Sequence, residues 1–320
     1  MTIAPREYDF VAARRVLEAK PKSAGPKLGS LEDAVALVKD GDHVALGGCL
    51  YSRTPLALVW ALLRRRPKGL TLSRNLMCYE GEWGMVAGAV DKLVTSWMGI
   101  GLPWGLSRIQ REFVEAGRVE FEEWSHLGLG LRYRAAAMGV PFLPSLTMLG
   151  SGLMDVGGSK TVACPYTGQT LHAVPALFPD VALIHVQKAD RLGNCQIDGY
   201  PHMDADIARA AATVLVTAEE IVSEDEIRLN GDRTVIPGFM VDALAHVPYG
   251  SYPHECYGTY DSEPKHFTAY VDGILARGTA AVADYLERYV YAPPAHADYL
   301  ALFGDARRVD AAGRARMLTT

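Results

Sequence analysis

The chain has 320 residues, which is enough for one large α/β domain or two small domains. Hydrophobic residues make up 49% of the sequence and charged residues 22%, and the formal net charge is −5 with both signs well mixed. This composition is ordinary for a soluble globular protein. It excludes the strongly basic patch that nucleic acid as the main partner would require.

Cysteine usage and apolar runs indicate the cellular setting. The five cysteines are odd in number and have no CxxC spacing, which argues against a disulfide framework and a structural zinc site. Residues 1–20 lack the continuous apolar segment of a signal peptide, and no apolar run is long enough to span a bilayer. We expect a cytoplasmic protein with reduced thiols, no metal site and no membrane partner.

The N-terminal part is predicted to be an extension, residues 1–30, with a short helix over residues 8–17 and then a linker rich in Lys, Pro and Gly. Apolar residues at helical spacing predict a helix over residues 31–38. We expect the main domain to cover residues 31–290 and a C-terminal tail to cover residues 291–320.

The next stretch has the pattern of a strand, a glycine turn and a helix. Residues 43–46 are fit for a buried strand, and Gly47-Gly48 lets the backbone turn sharply. Thr54-Pro55 supplies a good N-cap and a residue suited to the first helical position, so a helix is predicted over residues 56–63. Free N–H groups at its start would favour an anion or a developing oxyanion in the turn. Many α/β proteins have such a turn for structural reasons alone.

Beyond the turn, strand-like segments alternate with helical ones. The predicted strands cover residues 70–73, 92–97, 119–122, 181–186, 213–217 and 235–237. The predicted helices cover residues 85–90, 108–116, 127–138 and 203–212. This alternation predicts an α/β fold with an open, largely parallel sheet flanked by helices.

Three short segments each follow a predicted strand: Gly47-Gly48, Met98-Gly99 and Ser125-His126. Parallel sheets bind ligands beyond the carboxyl ends of their strands. All three segments are therefore expected to border one crevice.

Several polar residues have ordinary structural interpretations. Glu80 and Glu82 are expected in a solvated loop, and Glu122 is expected to be a first-turn acid favoured by a helix dipole. His185 and Gln187 alternate on a predicted strand and share one face. A satisfied core histidine is as good an interpretation of His185 as a functional one.

Two longer segments are predicted without regular structure. Residues 144–175, rich in Gly, Ser, Thr and Pro, are long for a plain loop and are expected to be functional or to wrap a partner. Residues 246–260 form an aromatic segment that suits the rim of an active site or a contact between subunits. His254, Glu255 and Cys256 are contiguous there, so their side chains diverge rather than meet on one metal ion.

Three sequence blocks occur in order: Gly-Asp-x-x-Ala-Leu-Gly-Gly from Gly41, Gly-Val-Pro-Phe-Leu-Pro from Gly139, and His-x-Gln-x-Ala-Asp-x-x-Gly-Asn from His185. Together they resemble the α subunit of class I coenzyme A transferases, above all the glutaconate CoA-transferase branch, over about residues 31–270. The resemblance implies the CoA transferase-like fold, also written NagB/RpiA/CoA transferase-like. It also implies acyl-CoA and a carboxylic acid as substrates, no permanently bound cofactor, and a β-subunit partner.

The resemblance further implies the chemistry. Enzymes of this family use a glutamate that attacks the acyl-CoA thioester, with hydrogen-bond donors for each tetrahedral oxyanion. In two-subunit members this glutamate belongs to the β subunit, and no segment of this chain matches the motif around it. The chain is therefore expected to supply half of an active site, namely acyl-pocket and oxyanion-stabilising residues.

The candidate residues follow from the same resemblance. The substrate-binding candidates match a loop that lines the acyl pocket or a turn near it: Gly47, Gly48, Ser52, Arg53, Met98 and Gly99. The catalytic candidates are His126, Ser125 and Glu123. Ser125-His126 falls where relatives place a polar side chain next to the reacting carbonyl, and the match allows a small shift in register.

His126 stands where transferases often carry a glutamine. A histidine can donate a hydrogen bond, orient water or act as a base near neutral pH, or it can simply cap a helix. Three functions remain open: an α subunit of a heteromeric CoA-transferase, a subunit of a hydrolase that opens a carbon ring in a CoA ester, and a non-catalytic scaffold with the same fold.

Overall fold

The computed structural model describes residues 8–23, 25–101 and 103–304. The strands are β1 Leu28–Gly29, β2 His43–Leu46, β3 Leu70–Met77, β4 Val90–Gly101, β5 Gly105–Leu106, β6 Glu120–Glu123, β7 Phe142–Ser145, β8 Lys160–Ala163, β9 Thr170–Pro175, β10 Val181–Ala189, β11 Cys195–Gln196, β12 Thr213–Ile221, β13 Thr234–Ile236 and β14 Ala243–His246.

The helices alternate with these strands over most of the chain. They are α1 Phe10–Ala19, α2 Leu31–Val35, α3 Leu56–Arg64, α4 Tyr79–Val86, α5 Arg108–Glu115, α6 His126–Met138, α7 Gly152–Val156, α8 Asp204–Ala210, α9 Glu224–Leu229, α10 Pro264–Arg277, α11 Thr279–Tyr285 and α12 His296–Ala301, with a π-helical segment at Leu286–Tyr291. None of the described helices combines the length and apolar content needed to cross a bilayer.

The main sheet is open and largely parallel, which confirms the predicted fold class. Eight parallel strands lie in the order β1-β14-β12-β10-β2-β3-β4-β6. Short antiparallel strands extend it, with β5 on β4, β11 on β10 and β13 on β11. The chain order reverses between β2 and β10, so a crevice opens at their carboxyl ends.

The central strands are apolar because helices cover both faces of the sheet. In β2, Val44 and Leu46 join the core on one side, while Ala45 joins the core on the other. The first core includes α3, whose residues 56–63 are all buried. The second is built around α6 and α8. Alternate residues of a strand point to opposite faces, so a continuous apolar run is what a doubly covered sheet requires.

The segment 144–175 is not the long irregular loop that its composition predicts. It contains α7 and two strands of a second sheet, with the order β7-β9-β8 and antiparallel pairing. In β9 only His172 and Val174 are buried. The strands are short, and the Gly- and Ser-rich segments between them hide this weak alternation, which is why the composition suggests a loop.

The predicted solvated loop around Glu80 and Glu82 is also wrong, because both residues lie in α4 and are buried. Glu82 accepts hydrogen bonds from Ser107 and Tyr270. Burial raises the pKa of Glu82 to about 7 in spite of these two hydrogen bonds. Only the start of the helix predicted over residues 85–90 is helical, since α4 stops at Val86 and β4 begins at Val90.

Glu122 is not a first-turn acid but a buried residue of β6. Its carboxylate pairs with Arg132 and with Lys92, and it accepts a hydrogen bond from the Trp124 indole. Burial alone would raise the pKa of Glu122, but the charges of Arg132 and Lys92 outweigh it and hold the pKa below its usual value. Glu122 therefore ties the edge strand to α6.

Contacts continue across both predicted domain limits. The aromatic rings of Tyr8 and Phe10 pack against Phe178, and β1 adds a strand to the sheet edge. At the other end, Tyr299 is buried and its hydroxyl donates to the Tyr252 carbonyl. The limits at residues 30 and 290 stay predictions, and the part of the tail beyond residue 304 lies outside the described residues.

Candidate active site

Backbone strain concentrates at the carboxyl end of the sheet. Among the described residues, six non-glycine residues adopt a positive φ, and all but Arg66 lie on loops at this end. Such conformations are costly and persist where the surrounding structure holds them, often at functional sites. The five residues are Leu50, Arg53, Met148, His202 and Tyr249.

The turn after β2 is fastened to Asp204, the first residue of α8. The Gly48 N–H donates to Asp204 Oδ1 at 2.7 Å, and Arg53 Nη1 donates to Asp204 Oδ2 at 2.5 Å. Arg53 also donates to the carbonyls of His185 and Tyr200. Both members of the ion pair are buried. A contact between Arg53 and substrate stays a prediction that this geometry does not support, because the guanidinium is occupied inside the chain.

A second buried pair holds the turn from the other side. Arg74 of β3 donates from Nε to the Gly47 carbonyl at 3.1 Å and from Nη1 to Glu80 at 2.7 Å. Its Nη2 donates to the Thr54 hydroxyl, which lies 2.6 Å from His254 Nδ1. Thr54 is therefore not the predicted N-cap, and α3 begins at Leu56 without a side-chain cap.

Most amides of the turn are hydrogen-bonded inside the chain, so this geometry does not support the predicted anion-binding role of these groups, which stays a prediction. The Leu50 N–H donates to the backbone carbonyl of Leu76. The Arg53 N–H donates to the backbone carbonyl of Glu255, and the Ala57 N–H to that of Gly250. The others that donate internally are Gly47, Gly48, Cys49, Ser52 and Leu56. The turn forms a wall of the crevice, but it offers no row of free donors.

The aromatic segment 246–260 packs behind this turn and is not a free surface. Tyr252 and Tyr260 are buried, whereas Tyr257 is exposed. Most of its aromatic area packs in the chain's own core, and its use as a rim of the active site or as a contact between subunits stays a prediction.

Glu219 fastens the same segment to β12. Its carboxylate accepts hydrogen bonds from His185 Nε2 at 2.7 Å, from the Tyr260 hydroxyl at 2.6 Å, and from the N–H groups of Tyr249 and Gly250. His185 is thus a satisfied core histidine. Cys256 lies close enough to complete a set of metal-type ligands. We assign no metal, because the carboxylate is saturated with donors and burial raises the pKa of the Cys256 thiol.

Ser125 and His126 begin α6 at the carboxyl end of β6. Ser125 is the N-cap, since its hydroxyl accepts the Gly128 N–H at 2.9 Å and pairs with Thr147. His126 is exposed, and its carbonyl accepts a hydrogen bond from Asn75 of β3. Burial of part of the ring lowers the pKa of His126, so its imidazole is neutral at pH 7. Ser125 therefore positions the helix, while the His126 ring is available to a ligand.

His202 is a site residue that the sequence did not reveal. It lies on the loop before α8 and is exposed to solvent. Partial burial of its ring lowers its pKa to about 4, with the positive charges of Arg53, Arg74 and His126 adding to the effect and Asp204 opposing it. The Asn75 amide donates to the His126 carbonyl and to the sulfur of Met203, so the fold brings residue 202 close to residue 126. The one sequence feature that could have indicated His202 is its position after Pro201, directly before the helix predicted over residues 203–212.

The remaining candidates from the sequence differ in their burial and in the element that carries them. Met98 and Gly99 are not in a turn but inside β4, where both are buried. A Cβ on Gly99 would lie 2.3 Å from the Gly105 carbonyl, so this glycine allows β5 to approach. Ser52 is half-buried and hydrogen-bonds Glu255. Glu123 is half-buried on the edge strand β6.

The family model for coenzyme A transferase matches residues 29–246 of this chain. The chain belongs to the coenzyme A transferase family. The A subunit of the glutaconate CoA-transferase of Acidaminococcus fermentans is 34% identical over 89% of this chain and 94% of its own length. The crystal structure of glutaconate CoA-transferase from that organism superposes with a TM-score of 0.83 and 33% identity, over 88% of this chain and 94% of the other.

Other related proteins are named for a different CoA-transferase substrate or for a different reaction. The A subunit of the 3-oxoadipate CoA-transferase of Pseudomonas knackmussii is 35% identical over 82% of this chain and 93% of its own. A structure of the decarboxylase AibA/AibB superposes with a TM-score of 0.73 and 31% identity, over 82% and 98%. The IpdA subunit of a cholesterol ring-cleaving hydrolase from Rhodococcus jostii is 29% identical over 74% and 84%.

Gly47→Ala tests the close contact between the turn and α8. A Cβ at this position would lie 2.9 Å from Asp204 Oδ1. Because the neighbouring ion pair is buried, we expect the free energy of unfolding to fall by about 1–3 kcal/mol, as for other overpacked sites. Urea denaturation measures this loss. The matched control is Gly29→Ala, whose Cβ would meet nothing within 4 Å. Equal stability of both variants would contradict the described packing.

Proposed function

We propose that this chain is the α subunit of a heteromeric acyl-CoA:carboxylate CoA-transferase, and that a β-subunit partner supplies the nucleophilic glutamate. Beside the family match, one observation supports this division of labour: the carboxylates that hold the turn are buried in ion pairs. Glu80 and Asp204 are both fully buried opposite an arginine. A carboxylate held in this way cannot reach a thioester, so neither of these two acids beside the crevice can act as the nucleophile.

The transfer proceeds through two covalent intermediates. A glutamate oxygen of the partner bonds to the thioester carbonyl carbon, and the carbonyl electron pair moves to oxygen. Collapse of this oxyanion breaks the C–S bond and releases the CoA thiolate, which leaves a mixed anhydride. The thiolate then attacks the glutamyl carbonyl, giving glutamyl-CoA and the first free carboxylate. The second acid reverses both steps, so no permanent cofactor is needed.

In this scheme the chain shapes the acyl pocket and stabilises charge. The turn at Gly47-Gly48 forms a rigid wall, and Ser52 is half-buried in the same loop. The neutral imidazole of His126 can donate a hydrogen bond to the oxyanion, where a positioned donor has its largest effect. All five cysteines are unpaired, which supports the cytoplasmic location that we also propose.

A second candidate function is a subunit of a CoA-ester hydrolase that opens a carbon ring. The observation that favours it is His126 itself, because a neutral imidazole can hold and deprotonate a water. The relative named as a ring-cleaving hydrolase subunit is less similar to this chain than the two named transferase subunits are. For this reason we place the transferase first.

Partner dependence tests the proposed division of labour. The purified chain should not exchange CoA between an acyl-CoA and a free acid, and addition of the partner encoded by a neighbouring gene should restore exchange. In the pair, Glu123→Gln and Glu255→Gln should keep exchange within about tenfold of wild type, because neither is proposed as the nucleophile. Exchange by this chain alone, or its complete loss in either variant, would refute the proposal. Release of free CoA without exchange would favour the hydrolase.

His126→Ala should lower turnover of the assembled enzyme by about 100-fold or more and leave assembly intact, because a donor to the oxyanion is lost. His126→Gln should keep part of the activity if donation is sufficient. If His126 is a general base, glutamine should fail as badly as alanine, and the wild-type rate should fall as the pH drops through the histidine pKa, since only the neutral ring accepts a proton. His246→Ala, an exposed histidine at the end of β14, is the control. Normal rates for both His126 variants would show a structural residue.

A further inference from the structure

The oxyanion of the proposed reaction needs hydrogen-bond donors, and most backbone amides of the turn after β2 are already engaged. A tetrahedral oxyanion is stabilised by donors aimed at the carbonyl oxygen, either backbone amides or side chains. The amides of Gly48, Leu50 and Arg53 are already bonded to acceptors inside the chain. These three amides are not available to a ligand, so side chains near the turn are candidate donors.

Polar side chains nearby are mostly engaged as well. The Asn75 amide donates to the His126 carbonyl and to the Met203 sulfur, and its oxygen accepts from Ser96. Among the described residues, no group hydrogen-bonds the imidazole of His126 or that of His202. Both rings therefore keep an N–H that can turn to a ligand.

We propose that His202 is a second hydrogen-bond donor to the carbonyl oxygen of the acyl-CoA thioester, acting beside His126. The loop that carries it is fixed on both sides. The Tyr200 carbonyl accepts from Arg53, Met203 accepts from Asn75, and Asp204 binds Gly48 and Arg53. Between these anchors, His202 adopts a φ of 48°, a strained conformation for a residue with a side chain.

The charges around His202 keep its ring in the state that this role requires. Burial and the positive charges of Arg53, Arg74 and His126 lower its pKa to about 4, against the opposing effect of Asp204. At pH 7 the ring is neutral and presents one N–H and one acceptor nitrogen. A neutral donor beside a second neutral imidazole avoids the repulsion that two cationic rings would have, so both can approach one oxygen.

Steady-state kinetics of the enzyme assembled with its partner test this inference, which rests on the proposed function. His202→Leu should lower kcat and kcat/KM for the acyl-CoA together, by about 100-fold, with KM within about twofold, because an oxyanion donor acts in the transition state. His202→Gln, which keeps an N–H donor, should stay within about tenfold of wild type. Thermal unfolding and assembly of both variants should match wild type. His246→Leu is the matched control and should keep the wild-type rate.

The outcomes separate this inference from the proposed function. If the wild-type pair shows no acyl-CoA turnover, the proposed function fails. If the wild type turns over and His202→Leu does so within about threefold, the inference is wrong and other groups supply the donors. An equal loss in the Leu and Gln variants, together with a lowered melting temperature, would also overturn it, because that result describes a structural residue.

Discussion

Two buried arginine–carboxylate pairs determine the shape of the crevice. The Arg53–Asp204 pair holds the turn after β2 because Asp204 accepts the Gly48 N–H. The Arg74–Glu80 pair holds it from the other side because Arg74 donates to the Gly47 carbonyl. A buried pair adds little net stability, but removal of one partner costs about 3–5 kcal/mol because a charge is left unpaired. The pairs therefore hold the turn in one conformation. They also engage the two guanidinium groups and the Gly48 N–H, which are therefore not available to a ligand.

The sequence predicts the parts of this arrangement that depend on local chemistry. The apolar run of β2, the glycines after it and the alternation of strands and helices follow from the residues themselves. The burial of Glu80 and Glu82 does not, because acids beside aromatic residues look like a solvated loop until their partners are known. Arg74 lies near Glu80 in sequence, but Tyr270 is 188 positions away from Glu82. The second sheet was missed for a related reason, since the Gly- and Ser-rich composition of residues 144–175 masks its short strands.

The site shows the same division. His126 could be proposed from the sequence because it follows a strand and matches a functional position of the resembled family. Asp204 and His202 could not, since Gly48 and Asp204 are 156 positions apart and meet only when β2 lies beside β10. Arg53 is the converse case. The resemblance places it in a loop that lines the acyl pocket, but its guanidinium is turned inward to Asp204 and two carbonyls, which the sequence does not reveal.

In the proposed reaction this chain shapes the acyl pocket and stabilises the oxyanion, while its partner forms the covalent bond to the acyl group. The most direct test is to incubate the assembled enzyme with acyl-CoA, reduce the glutamyl-CoA thioester with borohydride, and locate the reduced residue by peptide mass spectrometry. We expect the thioester to be reduced to an alcohol on one glutamate of the partner, and every Asp and Glu of this chain to keep its mass. A reduced glutamate on this chain, at position 123, 255 or elsewhere, would contradict this expectation.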